Sequence, residues 1–450
     1  MPPSLQDWIP SGHLARFVVR FAEALDLSAF YSFYESENGG RPPYDPEAML
    51  AIILYAQAKG VVSSRKIEIC LTDDVGFRFV AGNMAPDHNT IAEFRKRHRS
   101  EIRELLVSTT RVAMGAGMIG LTHASVDGTK IRANASKGAR KTKEQLKDEQ
   151  KRLEWLIGSY LDECDEIDEK EDAEFGKNRN PNFLPPEMAT EEAMDKLIKD
   201  ALDAMKPNTE DSQEKETTRE ASPTTERHKK KLKKIKKAVE ALEQQEDAEK
   251  INDPTGKKRR DRERKRGGPQ QQKVNVTDTD SRTMLFRNGT YDEGYNCQIA
   301  VDDYYELIIA ASVSNEATDR KQLRPVVLQI EKNTEWLPTI VSADNGYLNF
   351  DHIEDPRLKN VDFYVIPSKP MPKESLESKS EKMREKLETP MGQYYAKRRT
   401  ALVEPVFGAL KHARKLRQFL TRTLTAVEAE WTLWCVTHNL LKLYKYGAAI

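Results

Sequence analysis

Two aspartates in this chain each follow a short apolar run. Asp127 comes after ASV and before Gly128, and Asp344 comes after IVSA and before Asn345–Gly346. Both runs read as strands that end at the acid, and in α/β sheets ligand-handling groups gather at the carboxyl ends of strands. Carboxylates brought together there repel each other. A hard divalent cation such as Mg²⁺ or Mn²⁺ relieves that repulsion with the oxygen ligands it prefers. Glu404, in TALVEPVFGALKHARKLR, is the candidate third ligand. On a helix, positions 404, 408, 411 and 415 share one face, which sets Glu404 in line with Gly408, Lys411 and Lys415, with Arg414 adjacent. An acid followed by a basic stripe suits a metal ligand beside a phosphate path.

Each of these residues also has a plainer reading. Asp-Gly between extended runs is a hairpin signal, and Asn-Gly is a turn dipeptide. Glu404 is equally an N-terminal glutamate favoured by the helix dipole. Pro405 disfavours helical geometry at Glu404, so a helix starts or kinks there. Asp278, Asp280, Asp302, Glu316 and Asp319 lie in the same part of the chain. Asp319 reads as a helix cap, whereas Asp278 and Asp280, near a strand end, compete for the metal role.

The elements that must hold these acids follow from pattern. Residues 1–118 read as helical: HLARFVVRFAEAL has helical apolar spacing, and in YDPEAMLAIILYAQAKG Asp45 is the N-cap, Pro46 is N1 and Gly60 closes the helix. SSRKIEICL and VGFRFVAG supply short helices. In PDHNTIAEFRKRHRSEIRELL, Thr90 and Glu93 have capping-box spacing, and Ile91, Phe94 and Ile102 form an apolar stripe. Arg95, Lys96, Arg97, His98 and Arg99 crowd the rest of that helix, which suits DNA phosphates or a major groove.

Residues 138–270 are dominated by charged residues. KTKEQLKDEQKRLEWLIGSYLDE and HKKKLKKIKKAVEALEQQ read as helices that pair as an antiparallel hairpin, KPNTEDSQEKETTREASPTTE reads as disordered, and GKKRRDRERKRGGPQQQ (256–272) reads as a basic linker suited to phosphate contact. Beyond it, YNCQIAVDDYYELIIAASVS reads as two antiparallel strands joined near Asp302–Asp303, DRKQLRPVVLQIEKN as a helix, and LPTIVSADNGYLN and VDFYVIPS as strands. From 390 the chain returns to helix. That order predicts a mixed α/β sheet interrupted by a helical insertion.

Composition narrows the class. A chain of 450 residues predicts two to three domains. Lys+Arg and Asp+Glu both total 72, so global charge announces no nucleic-acid partner and local clustering has to. The four cysteines stand far apart without a C-x-x-C pair, which argues against structural zinc and disulfides and for a reducing cytoplasm. MPPSLQDWIP is not a signal peptide, and no run approaches eighteen apolar residues.

Taken in order, SVDGTKI, IVSADNGY and VEPVFGALKHAR resemble the DDE transposases of bacterial insertion sequences, most closely the IS1182-type group of the IS4/IS5-like assemblage. YDPEAMLAIILYA with PDHNTIAEFRKRH is similar to that group's N-terminal transposase domain, and GYNCQIAVDD to its central strand. The resemblance implies a ribonuclease-H-like core in which Asp127, Asp344 and Glu404 hold two divalent ions, Mg²⁺ or Mn²⁺. Two such ions, about 3.5–4 Å apart, cleave phosphodiesters by activating water and stabilising the leaving oxygen. The freed 3′-hydroxyl then attacks target DNA.

The resemblance also implies double-stranded DNA (transposon terminal repeats and target) as partner, a homodimer in the DNA complex, and a bacterial cytoplasmic protein associated with the nucleoid when DNA-bound. Within the family's Tyr-Arg-Glu-Lys signature, Glu404 and Lys411 keep their gap and Tyr395 and Arg398 keep theirs, but Thr400 stands where the arginine is expected. The expected DNA-facing set is Thr90, Arg95, Lys96 and Arg99, with Tyr395, Arg398, Lys411 and Arg414. The expected divisions are a helical DNA-binding domain (1–118), a catalytic core (119–137 and 273–425), a charged helical insertion (138–272) and a C-terminal helix (426–450). The alternatives are a nuclease without strand transfer, and a catalytically inactive DNA-binding or assembly protein.

Overall fold

The segment Met49–Gln57 is buried on every side, so its helix lies inside the protein rather than on a surface. The computed structural model of the chain describes residues 4–34, 44–175, 223–253, 272–367 and 374–447. Eight helices come first: α1 (Leu5–Trp8), α2 (Leu14–Glu23), α3 (Ser28–Ser32), α4 (Pro46–Ala58), α5 (Ser64–Asp73), α6 (Val75–Val80), α7 (His88–Arg97) and α8 (Arg99–Gly115). The expected caps of α4 are present. Asp45 accepts from the Glu47 N–H, and Gly60, at φ 75°, lets the Gly60 and Val61 N–H groups reach the Gln57 and Ala56 carbonyls.

Two local expectations fail in α7. Its N-cap is Asp87, which accepts from the Thr90 N–H, so Thr90 lies inside the first turn rather than capping it. The helix also stops at Arg97. Ile91 and Phe94 are buried on α7, while Ile102 is buried on α8, on the far side of His98.

The central sheet has six strands: β1 (His123–Arg132), β4 (Arg282–Leu285), β5 (Tyr291–Asp302), β6 (Ile308–Ser314), β7 (Ile340–Ala343) and β8 (Asp362–Val365). The two short strands before β4 pair with each other, β2 (Arg140–Thr142) with β3 (Lys273–Asn275). Along one edge β5 pairs antiparallel with β4 and then β6; along the other it pairs antiparallel with β1. Beyond β1 the sheet is parallel, through β7 to β8. The fold is therefore mixed α/β with a mixed sheet and a helical N-terminus.

One face of the sheet buries Ala124, Val126, Val341 and Ala343 against α11 (Leu323–Thr334) through Leu323, Val326, Val327 and Ile330. After α11 come α12 (Phe350–Ile353), α13 (Glu374–Glu388), α14 (Pro390–Gly408) and α15 (Leu424–Tyr446). The opposite face carries Ile131, Tyr295, Cys297 and Ile299 into the core that includes Trp431 and Val436 of α15.

The contacts divide the chain into two compact units, Met1–Arg140 with Thr277–Ile450, and Lys141–Val276. Within the first, Arg103 of α8 pairs with Glu428 of α15 at 2.9 Å. Within the second, α9 (Lys143–Phe175) packs on α10 (Pro223–Asn252), burying Leu146, Leu153, Ile235, Ala238 and Leu242. Lys143 at the start of α9 meets Glu243 and Glu246 late in α10, so the two helices run antiparallel. Most of the segment read as disordered, and all but the last residue of the basic linker, lie outside the described residues.

Candidate active site

The strand bearing Asp127 does not end there. β1 continues to Arg132, paired with β5 throughout, so Asp127–Gly128 is mid-strand and not a turn. Gly128 is there for room. A Cβ at this position would meet Gln298 Nε2 at 2.6 Å, the Tyr347 hydroxyl at 2.8 Å and Asp319 Oδ1 at 2.9 Å. A glycine inside a strand marks such a close approach. Gly128→Ala is expected to lower stability by ~1–3 kcal/mol through overpacking, read as a lower urea midpoint; an unchanged midpoint would show that the three groups move aside freely.

Register brings the two aspartates together. Val126 pairs with Ala343 on parallel β7, so Asp127 and Asp344 are the next residues on adjacent strands. They share the sheet face of Ser125 and Ser342, whose hydroxyls lie 2.9 Å apart. Asp127 accepts from the Gly128 N–H at 2.7 Å, and Asp344 from the Gly346 N–H at 2.9 Å. Burial, then the charge of Asp344, pushes the Asp127 carboxyl up to about 6, against the opposing pull of Gly128 N–H and Arg399. Burial likewise raises Asp344. Two half-buried acids whose ionisation burial opposes are a ready seat for a cation.

Arg399, which sequence reasoning passed over, faces the pair. Its Nη1 lies 3.4 Å from Asp127 Oδ2, while its buried Nε has no partner. Arg398, one residue away, turns instead to Asp303. Tyr395 packs with tilted rings against His123, 4.7 Å between ring centres, and against Tyr364. His123 meets Asp303 at Nδ1 and Ser342 at Nε2, so Tyr395 and Arg398 buttress the strand that leads to Asp127. Only the phase of α14 separates the roles of Arg398 and Arg399, and adjacent arginines in KRRT carry no phase signal.

Glu404 is exposed on α14 and makes no hydrogen bond or ion pair among the described residues. Pro405 neither starts nor ends the helix; α14 runs through it and passes into a π-turn over Ala409–Ala413. That turn, with Lys415 at φ 62°, breaks the face expected to align 404, 408, 411 and 415. Lys411 still reaches the acid face, donating to Thr129 Oγ1 two residues beyond Asp127, and burial lowers its pKa. Arg414 points inward, donating to the Trp434 carbonyl, and burial draws its pKa down to about 10. Among the described residues, no three His, Cys, Asp or Glu side chains are gathered closely enough to hold a metal ion.

The competing acids have other work. Asp278 accepts from Tyr295 OH and the Thr423 N–H, and Asp280 from the Leu424 N–H, at the start of α15. Asp302 ties down the Gly120 and Leu121 N–H groups, and Glu316 pairs with Lys321. Asp319 is not a helix cap. Its carboxylate accepts from Asn296 and Gln298 on β5, beside Gly128, and its charge adds to the rise at Asp127 and Asp344. The signal for it was Asn296 and Gln298 themselves, alternate polar residues in an otherwise apolar strand.

Residues 3–97 match the family model described as Transposase domain (DUF772), and residues 271–440 match Transposase DDE domain. Together they cover more than half of the chain. The chain belongs to the DDE transposases of insertion sequences. The two domains in this order are consistent with the IS1182 type. No curated protein and no solved structure matches the chain. Membership makes this a nuclease-type transposase enzyme, with DNA as its partner and a divalent metal as its requirement. No helix among the described residues is long and apolar enough to cross a membrane.

In the N-terminal transposase domain, the expected DNA-facing set divides. Arg95 turns inward: Nη1 donates to the Val62 carbonyl, buried Nε has no partner, and burial pulls its pKa down to about 10 against the charge of Glu430. His98 is wholly buried among Phe30, Phe33, Tyr34 and Phe94. Lys96 stays exposed, shares Glu93 with Arg97, and Arg99 opens α8 partly exposed.

Proposed function

We propose that this transposase binds the ends of its element and performs metal-dependent cleavage and strand transfer, with Asp127, Asp344 and Glu404 as metal ligands in a ribonuclease-H-like core. The observation that carries the reading is the pair Asp127–Asp344, each one residue beyond the Val126–Ala343 pair of parallel β1 and β7, and both with ionisation opposed by burial. A mixed sheet, antiparallel from β4 and β6 through β5 to β1 and parallel from β1 through β7 to β8, supports the core assignment.

The donor chemistry fits divalent ions. Asp127 and Asp344 offer hard carboxylate oxygens, and a bound cation would replace the proton that burial now favours. Such ions supply the Lewis acidity that phosphodiester chemistry needs. Glu404 would complete the set from the helix that already sets Arg399 against Asp127. A local shift of α14 would bring it in, and Pro405 with the π-turn beyond it interrupts the helical ladder at that point. Arg399 offsets part of the charge of Asp127 before loading. Lys411 holds positive charge at the edge of the same face. Two copies of the chain would bring two ends together.

The test is incubation of the protein with duplexes carrying the element's ends and a supercoiled plasmid, with and without Mg²⁺. Nicked ends and joined product only with metal are expected. DNA binding without chemistry in either condition would favour the second reading, an inactive DNA-binding protein, for which the outlying Glu404 speaks.

The N-terminal face carries its own expectation. Lys96→Ala with Arg99→Ala should reduce the slope of log affinity against log salt by about 2, near one unit per phosphate contact. Arg95→Ala should leave that slope unchanged and lower stability by ~1–3 kcal/mol, because it strips the part-buried Val62 carbonyl of its donor. Equal slopes for wild type and the double variant would remove α7 and the start of α8 from the DNA interface.

A further inference from the structure

The second unit carries charge that its own fold does not use. In α10 the core positions Leu232, Ile235, Ala238, Val239 and Leu242 set one face of the helix against α9. Lys231 and Lys236, at the margins of that face, pair with Glu149 and Glu154 of α9 at 2.6 and 3.1 Å. Lys230, Lys233, Lys234 and Lys237 recur at i, i+3, i+4 and i+7, so they form one stripe on the side turned away from α9. All four are exposed, and among the described residues none makes an ion pair. Four lysines in two helical turns repel one another, a cost that packing against α9 does nothing to offset.

We propose that this lysine stripe is a sequence-independent docking surface for the phosphate backbone of duplex DNA, a contact separate from the N-terminal helices and the acid pair. The inference rests on the transposase reading above for the identity of the polyanion. Charge and dimension both suit it. The stripe spans about 10 Å of helix, and a duplex presents roughly six phosphate charges over that length. Lysine ammonium groups on flexible stems meet a phosphate row without the fixed geometry that base reading needs.

The rival occupant is acidic protein, in the first instance the Asp- and Glu-rich end of α9 (Asp162–Glu174) of a second copy. The test uses the full chain with all four lysines changed to Gln, and a second variant with all four changed to Arg. Binding to a duplex with the element's ends and to a random duplex is titrated from low to physiological salt, and oligomeric state is measured without DNA. The Gln variant should lose about 3–4 from the salt slope and weaken on both duplexes by the same factor, on the order of tenfold, while the Arg variant keeps the wild-type slope. An unchanged slope in the Gln variant, with wild type binding DNA normally, overturns the stripe alone. The same result with loss of self-association overturns it in favour of the acidic partner. A wild type that binds no duplex fails the transposase reading itself.

Discussion

Asp344→Asn is expected to abolish end cleavage and joining while leaving DNA binding intact. The substitution keeps the side chain's size and its acceptor for the Gly346 N–H, so the 3₁₀ turn after β7 survives. It removes one of the two charges that a cation would bridge. Losing a group that only orients a metal ligand costs about 10–100-fold; losing a ligand should exceed that, on the order of 10³-fold or more. Asp344 is half-buried at the end of β7 and is not one of the basic residues expected to meet phosphate, so affinity for duplex DNA should stay within about twofold and the salt slope should not move. Parallel loss of binding and cleavage would make Asp344 a folding residue rather than part of the chemistry.

Asp127→Asn should make the metal-free protein more stable. In the folded chain the Asp127 carboxyl is raised to about 6 from an ordinary 3.8. Below the ordinary value the acid is protonated in both states and costs nothing. Between the two values the unfolded chain gives up the proton first, so stability is lost as pH rises through that window. Above about 6 the penalty is complete, and two pKa units correspond to ~3 kcal/mol. Asn removes the charge but also forfeits the contact with Arg399, so a net gain of ~1–3 kcal/mol is expected at pH 7.5, shrinking toward zero near pH 4. Urea unfolding without divalent ions at both pH values measures it. Added Mn²⁺ should stabilise wild type more than the variant, since binding to the native state alone raises stability. A variant no more stable than wild type at pH 7.5 would show that the pair is not electrostatically strained.

Local signals in the sequence were sufficient for much of this. Asp45, Pro46 and Gly60 bound α4 because each satisfies backbone groups within a turn of itself. The alternation in YNCQIAV and IIAASVS yields β5 and β6, and IVSA ends directly before Asp344. What failed depended on contacts from far along the chain. Gly128 is a glycine because of Gln298, Asp319 and Tyr347, more than 160 residues away, so Asp-Gly looked like a turn. Thr90 has the spacing of a cap, but Asp87 took the first N–H within reach. Arg95 and Arg414 are basic residues in basic stretches, and nothing local says that each turns inward, one to the Val62 carbonyl and the other to that of Trp434. Asp319, in the bend between β6 and α11, was hidden for the same reason, since its partners Asn296 and Gln298 stand on β5.

The central claim is that the paired aspartates hold divalent metal, and Mn²⁺ binding to the complex of protein with its end duplex tests it most directly. Free Mn²⁺ is read by electron paramagnetic resonance for wild type and for the double variant Asp127→Asn, Asp344→Asn. Saturable uptake by wild type that is lost in the double variant is the expected result. Equal uptake by the two proteins would place the metal elsewhere and return Asp127 and Asp344 to a structural role.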